Sequence, residues 1–163
     1  GTYPFTKRFF AMPQAYLGIA FSFGIPMAFA AQTDSLPPLI WILMLANLFW
    51  VIAYDTAYAI VDKPDDLKIG IKTSAITMGR FDVMGVMLCH GMFIVIMLAI
   101  GQLQSMCIAY HAGLMFAVGL IIYQYTLIRN RDRTLCFKAF LHNNWVGMVV
   151  FVGIALDFLI YQT

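Results

Sequence analysis

The chain has 163 residues, of which 62% are hydrophobic and 11% charged, with a formal net charge of +2 and a mean hydropathy of +0.82. A soluble domain of this size could not cover so much apolar surface, so the composition excludes a water-soluble enzyme and points to a protein of the lipid bilayer. No nucleic-acid partner is expected.

The chain opens with Gly1-Thr-Tyr-Pro-Phe-Thr-Lys-Arg8, which has no initiator Met and runs into a full apolar span without a small-residue cleavage site. That argues against a signal peptide and suits an interior stretch of a longer protein. Residues 9–33, 35–54 and 83–128 contain no Lys, Arg, Asp or Glu. A spanning helix needs about 20 such positions, so the third run predicts two helices, divided at Gly101-Gln-Leu-Gln-Ser105. The reading is all-α, a polytopic bundle with spans near 10–31, 38–60, 83–101, 106–128 and 144–161, within a single membrane domain.

Within the first span Pro13, Gly18, Gly24 and Pro26 predict an interrupted helix, since each proline removes a backbone hydrogen bond. Pro37-Pro38 fits the start of the second, in which Asn47 is an amide needing partners, either interhelical or facing a cavity. Five spans place the amino terminus, the 61–82 segment and the 129–143 segment on one side, and all ten basic residues fall there. By the positive-inside rule that side is cytoplasmic. Cys89, Cys107 and Cys136 are too scattered for a disulfide framework or a zinc site and read as packing residues. His90, His111 and His142 read as hydrogen-bonded packing.

Four of the eight acids lie in the stretch Tyr54-Asp-Thr-Ala-Tyr-Ala-Ile-Val-Asp-Lys-Pro-Asp-Asp-Leu-Lys-Ile-Gly-Ile-Lys72. At 100° per residue Asp55 and Asp62 return to one helical face with Tyr58 between them. Pro64 disfavours helical geometry at Lys63, which predicts that the helix ends near Asp62 and delivers Asp65 and Asp66 on a turn. Carboxylates at the mouth of a membrane helix are costly unless compensated. Mg2+, which takes one or two carboxylates together with phosphate oxygens and water, is the expected compensator, and Lys68 and Lys72 stand ready for phosphate. A solvated acidic turn accounts for the loop acids but not for Asp55 inside the apolar span.

The pattern Tyr54-Asp-x-x-Tyr-Ala-x-x-Asp-x-x-Asp-Asp-x-x-Ile-Gly-Ile-Lys72 resembles the second aspartate-rich motif of the UbiA superfamily of membrane prenyltransferases, above all its branch acting on 4-hydroxybenzoate. Tyr3-x-x-x-Lys7 with Arg8 is similar to the family's Tyr-x-x-x-Lys element, Gly24-Ile-Pro-Met-Ala-Phe-Ala-Ala31 to its fifth helix, and Cys136-Phe-Lys-Ala-Phe-x-x-Asn-Asn144 to its last cytoplasmic loop. Lys72-Thr-Ser-Ala75 departs from the branch, which more often has Lys-Ser-Thr-Ala, and Lys63-Pro64 is a less familiar filling of the loop.

The resemblance implies a nine-helix bundle of which this chain supplies helices five to nine. The missing amino-terminal half would carry a first motif, Asn-Asp-x-x-Asp-x-x-x-Asp, for a second Mg2+; this sequence contains no such segment, so the chain alone should lack a complete active site. The implied activity is Mg2+-dependent transfer of a polyprenyl group from polyprenyl diphosphate to the ring of 4-hydroxybenzoate, a step of ubiquinone biosynthesis, in a bacterial or mitochondrial inner membrane with the active-site loops on the cytoplasmic or matrix side. Asp62 and Asp66 are the implied metal ligands. Lys72, Lys7, Lys68 and Asp65 would serve the diphosphate, and Tyr3, Tyr54, Tyr58 and Asn47 the prenyl cation or the acceptor. Asp55 and Arg8 are the catalytic candidates, Asp55 orienting or deprotonating the acceptor and Arg8 pairing with its carboxylate. An ion-coupled carrier, or a related prenyltransferase with another aromatic acceptor, is the alternative.

Overall fold

The computed structural model describes residues 12–161, and five helical spans in it are long and apolar enough to cross a membrane. The first is interrupted. Helix α1 (Pro13–Ser22) has proline in its first turn, where no N–H is needed, and α2 (Gly24–Thr33) resumes after Phe23. Pro26 has no N–H for the carbonyl of Ser22, and Phe23 N bonds instead to Ala20 O at 3.4 Å, which accounts for the break. Asp34, in the left-handed region at φ 48°, ends α2.

Helix α3 (Leu39–Ile69) is the centre of the fold, packed against α1, α5 (Asp82–Leu103) and α7 (Arg133–Tyr161). Its 31 residues correspond to about 46 Å at 1.5 Å each, against about 30 Å of hydrocarbon, so its last turns reach beyond the apolar layer. The end near Asp62 expected from Pro64 is corrected here, because the helix runs through the proline to Ile69 and carries Asp65 and Asp66 on helical backbone. Two things outweigh the local penalty. Side chains on either side of Pro64 are held by ion pairs from other elements. Gly70, at φ 70°, then provides the left-handed residue that stops the helix, with its own N–H and that of Ile71 both given to Asp66 O.

A short helix α4 (Ser74–Met78) and one 3-10 turn (Gly79–Phe81) lead into α5, and α6 (Ile108–Ile128) returns antiparallel to it. The last helix also starts earlier than the sequence suggests: residues 133–143, read as loop, are its first turns. Asp132 explains the start, its carboxylate accepting from Leu135 N at 2.9 Å and its carbonyl from Cys136 N at 2.8 Å.

Membrane helices have little hydrophobic reason to associate, so close backbone approach and interhelical hydrogen bonds must hold them together. Both are present. A Cβ on Gly113 of α6 would stand 2.8 Å from Val149 O and 3.0 Å from Gly153 Cα of α7, so the two backbones touch where neither has a side chain. At mid-bundle one side-chain oxygen joins four helices: Asn143 Oδ1 of α7 accepts from Trp50 Nε1 of α3 at 3.3 Å and Gln124 Nε2 of α6 at 3.5 Å, with His90 Nε2 of α5 at 3.4 Å. His90 therefore takes a hydrogen-bonded packing place. At the end remote from the acidic stretch, Asp157 of α7 is fully buried and caps α6 from outside, accepting from Cys107 N at 2.9 Å and Tyr110 N at 3.1 Å.

Candidate active site

Three cavities follow one another along α3. The first, about 580 Å³, is almost wholly apolar and is walled by residues such as Leu43, Phe93, Met97 and Phe151. The second, about 350 Å³, shares Asn47, Trp50 and Asn144 with the first and adds Tyr54 and Phe140. The third, about 190 Å³, is lined by Asp55, Tyr58, Asp62 and Asp66 of α3, by Gln14 and Leu17 of α1, and by Thr73. Aromatic contacts link the series: Trp50 stacks on Phe93 with centroids 5.8 Å apart and meets the edge of Tyr54 at 5.7 Å. Phe140 lies 6.1 Å from Tyr54 and 5.0 Å from Tyr58.

The spacing of the acids produces this arrangement. Positions 55, 58, 62 and 66 are separated by three or four residues and form one stripe, so the continuation of the helix through Pro64 keeps Asp66 in line with Asp62, one turn further on. The Tyr58 hydroxyl sits beside the Asp62 carboxylate. Asp65 faces elsewhere. It pairs with Arg133 of α7 at 2.5 Å and with Lys68 at 3.2 Å, so Asp65 and Lys68 are engaged with one another outside the third cavity. Lys72 is exposed on the segment joining α3 to α4. Asn47 donates to Ser22 Oγ at 2.9 Å, tying α3 to α1 while lining the first two cavities. Tyr3, Lys7 and Arg8 lie outside the described residues.

Two lining residues escaped the sequence reading. Gln14 is buried, and its Oε1 accepts from Ser74 N at 2.9 Å, locking α1 to the start of α4. Thr73 is the N-cap of α4, its hydroxyl accepting from Ile76 N at 3.3 Å, while Ser74 Oγ lies 2.7 Å from Thr56 Oγ1 of α3. The signal was available in Lys72-Thr-Ser-Ala75, since a hydroxyl residue before a short helical run is a capping signature. The order Thr-Ser gives the two hydroxyls separate tasks, one capping α4 and one bridging to α3.

The polar lining of the third cavity consists of oxygen donors from Asp55, Asp62, Asp66, Tyr58 and Thr73 together with the Gln14 amide. Among the described residues no group of three or more His, Cys, Asp or Glu converges as a closed metal centre. An oxygen-rich lining of this kind has the donor chemistry of a site for a hard cation that takes one or two carboxylates and completes its shell with phosphate oxygens and water.

On the neighbouring face, Asp82 at the head of α5 is fully buried among charges. Lys63 Nζ lies 2.7 Å from Asp82 Oδ2 and donates also to Gly79 O at 2.7 Å. Arg131, between α6 and α7, donates from Nε to Asp82 Oδ1 at 2.8 Å and from Nη2 to Arg80 O at 2.8 Å. The hydrogen bond to Asp82 raises the pKa of Arg131 further above its already high ordinary value. A single acid at the edge of a long apolar run signals that something compensates it, but the sequence does not say that the partners are Lys63 and Arg131.

With this geometry in view, comparisons with known proteins are specific. The sequence model of the UbiA prenyltransferase family matches residues 1–160. The 4-hydroxybenzoate octaprenyltransferase of Nitrosospira multiformis is 70% identical over 159 residues, covering 98% of this chain and 55% of that protein. The proteins of the same name from Azoarcus sp. and Cupriavidus necator are 62% and 61% identical, each covering 98% of this chain and 55% and 56% of their own lengths. The chain thus spans about half the length of the curated relatives it matches. Among solved structures, the apo form of a UbiA homologue from Aeropyrum pernix K1 superposes with a TM-score of 0.78 at 21% identity, over 96% of this chain and 59% of that one.

Proposed function

The chain belongs to the UbiA prenyltransferase family, and we propose from this that it forms part of a membrane enzyme transferring a polyprenyl group from an allylic diphosphate to the ring of 4-hydroxybenzoate. The relatives are nearly twice as long, and the proposed activity belongs to a protein of that full length. One observation carries the reading: Asp55, Tyr58, Asp62 and Asp66 line one cavity in a series that passes along α3 into aromatic and then apolar walls.

Asp62 and Asp66 would hold Mg2+, whose charge, when bound, makes diphosphate a better leaving group. Lys72 and Lys7 are proposed to neutralise phosphate oxygens, with Lys68 and Asp65 in a supporting place on the neighbouring face of α3, where Asp65 pairs with Lys68 and Arg133. Loss of diphosphate leaves an allylic cation, and the π-faces of Tyr54 and Tyr58, with Tyr3, are suited to stabilise it. Asn47 and Trp50, shared by the first two cavities, would guide the chain between apolar and aromatic walls. Asp55 is assigned the acceptor: it orients the phenol or takes its proton as the ring carbon ortho to the hydroxyl forms the new bond. Arg8 is assigned the acceptor carboxylate. The positive-inside rule puts the acidic cavity on the cytoplasmic side.

A chimera tests the assignment. In the Nitrosospira multiformis protein the 159 matched residues are replaced by this chain, and membranes are supplied with octaprenyl diphosphate, Mg2+ and labelled 4-hydroxybenzoate. Transfer of label to the lipid phase is expected, and its loss in Asp62→Asn. A chimera that inserts and folds yet transfers nothing overturns the proposal.

A further inference from the structure

We propose that the Lys63–Asp82–Arg131 cluster is a positioning device that sets the rotation of the acidic end of α3 and thereby its affinity for a divalent cation and diphosphate. This rests on the metal and diphosphate reading of the third cavity given above. Without an N–H, Pro64 leaves the Ile60 carbonyl without its usual partner four residues on, so α3 is weakest over the turn 60–64, which carries Asp62 and leads to Asp66, the two carboxylates that must act together. A helix interrupted there needs an external hold.

That hold is built at the adjacent residue. Lys63 follows Asp62, so its side chain leaves the helix about 100° away from the cavity stripe. There it is fixed by Asp82 Oδ2 and Gly79 O, both at 2.7 Å, with Asp82 completely withdrawn from water. Asp82 is fixed in turn by Arg131 Nε at 2.8 Å and by the N–H of Val83 at 2.8 Å. Arg131 itself sits in the left-handed region at φ 56°, a conformation unfavourable for a residue with a side chain, and Gly79 at φ 57° presents its carbonyl to Lys63. An unfavourable backbone conformation is thus tolerated at Arg131, and a glycine supplies the positive φ at residue 79, in two turns that serve the same lysine and aspartate. The Arg133–Asp65 pair adds a second tether on the far side of Pro64. Two segments remote in sequence, 79–82 and 131–133, converge on α3 at its weak point, and none of the residues concerned lines the cavity.

An ion cluster that only stabilised the fold would change the amount of folded protein. A positioning device changes metal affinity in the protein that remains folded. The test uses the full-length chimera in detergent, with Mn2+ binding in the presence of inorganic pyrophosphate read by electron paramagnetic resonance, beside transfer rates as a function of Mg2+. Lys63→Met and Asp82→Asn, which act through the helix backbone and not on the ligand oxygens, are expected to weaken Mn2+ binding about 10-fold or more, on the scale of lost support around metal ligands. Half-saturation by Mg2+ should rise correspondingly, with kcat largely regained at high Mg2+, and Lys63→Arg should bind like the parent.

If Asp82→Asn does not fold, Lys63→Met decides, since it leaves Asp82 paired with Arg131. Folded Lys63→Met with parental Mn2+ affinity overturns the inference while leaving the metal reading intact. A parent chimera that binds no Mn2+ with pyrophosphate overturns both.

Discussion

Asp157 gives the sharpest stability prediction, because its carboxylate is fully buried and has two identified tasks. It accepts the N–H groups of Cys107 and Tyr110 at 2.9 and 3.1 Å, two of the four donors that the first turn of α6 cannot satisfy within its own helix. Asp157→Ala removes both acceptors and leaves no side-chain substitute. An orphaned buried donor costs about 1–3 kcal/mol, and Cys107 is partly exposed, so water can recover some of its share. The loss should be about 2–5 kcal/mol. Asp157→Asn keeps one acceptor oxygen but forfeits the second and the negative charge at a helix amino end, for about half that loss. The assay is reversible unfolding in mixed micelles of mild detergent and SDS, followed by far-ultraviolet circular dichroism, with parent and both variants in the same lipid background. An Asp157→Ala protein within about 0.5 kcal/mol of the parent refutes the capping argument, since that is the scatter expected of a substitution that touches no special feature.

The crossing of α6 and α7 predicts that Gly113→Ala is destabilising by about 1–3 kcal/mol in the same unfolding assay, because the new methyl would lie 2.8 Å from the Val149 carbonyl oxygen and the backbones must part; Gly119, with open space around it, should accept alanine without such a loss. The orientation of the acids predicts a contrast in the chimera: Asp62→Asn or Asp66→Asn should lower transfer at least 100-fold, whereas Asp65→Asn, which breaks an exposed pair with Arg133 and Lys68, should leave transfer at saturating Mg2+ within a few-fold of the parent. Equal losses for all three would remove the distinction that the third cavity draws.

What the sequence revealed and what it hid follow different ranges of interaction. Spans are legible because bilayer thickness is a one-dimensional rule, and the periodicity of Asp55, Tyr58 and Asp62 is legible because a helix imposes it locally. Pro64 misled for the same reason: its penalty is local, but what overrides it comes from Asp82 and Arg133, which are neighbours only in space. The start of α7 was hidden because Arg129, Arg131, Arg133 and Lys138 look like a solvated loop. In the fold Arg131 and Arg133 serve as partners for buried or paired acids, and Phe137 and Phe140 of that same stretch pack on Tyr58. Asp82 and Asp157 passed unnoticed as single acids, although an isolated carboxylate in an apolar run is itself a signal that something in the fold compensates it.

The order of the cavities along α3 is itself an argument about why one helix bears so much of the site. A substrate with a long apolar tail, an allylic carbon and a diphosphate demands three environments at fixed intervals. A single rigid helix can space them more reliably than residues gathered from several mobile segments. From Leu43 to Asp66 the lining changes from aliphatic through aromatic to carboxylate without leaving α3. On the proposed function, the cost of this economy is that everything depends on the helix continuing through Pro64 in register: a slip of one residue would turn Asp66 about 100° out of line with Asp62. The buried Asp82 cluster stands where that slip would begin.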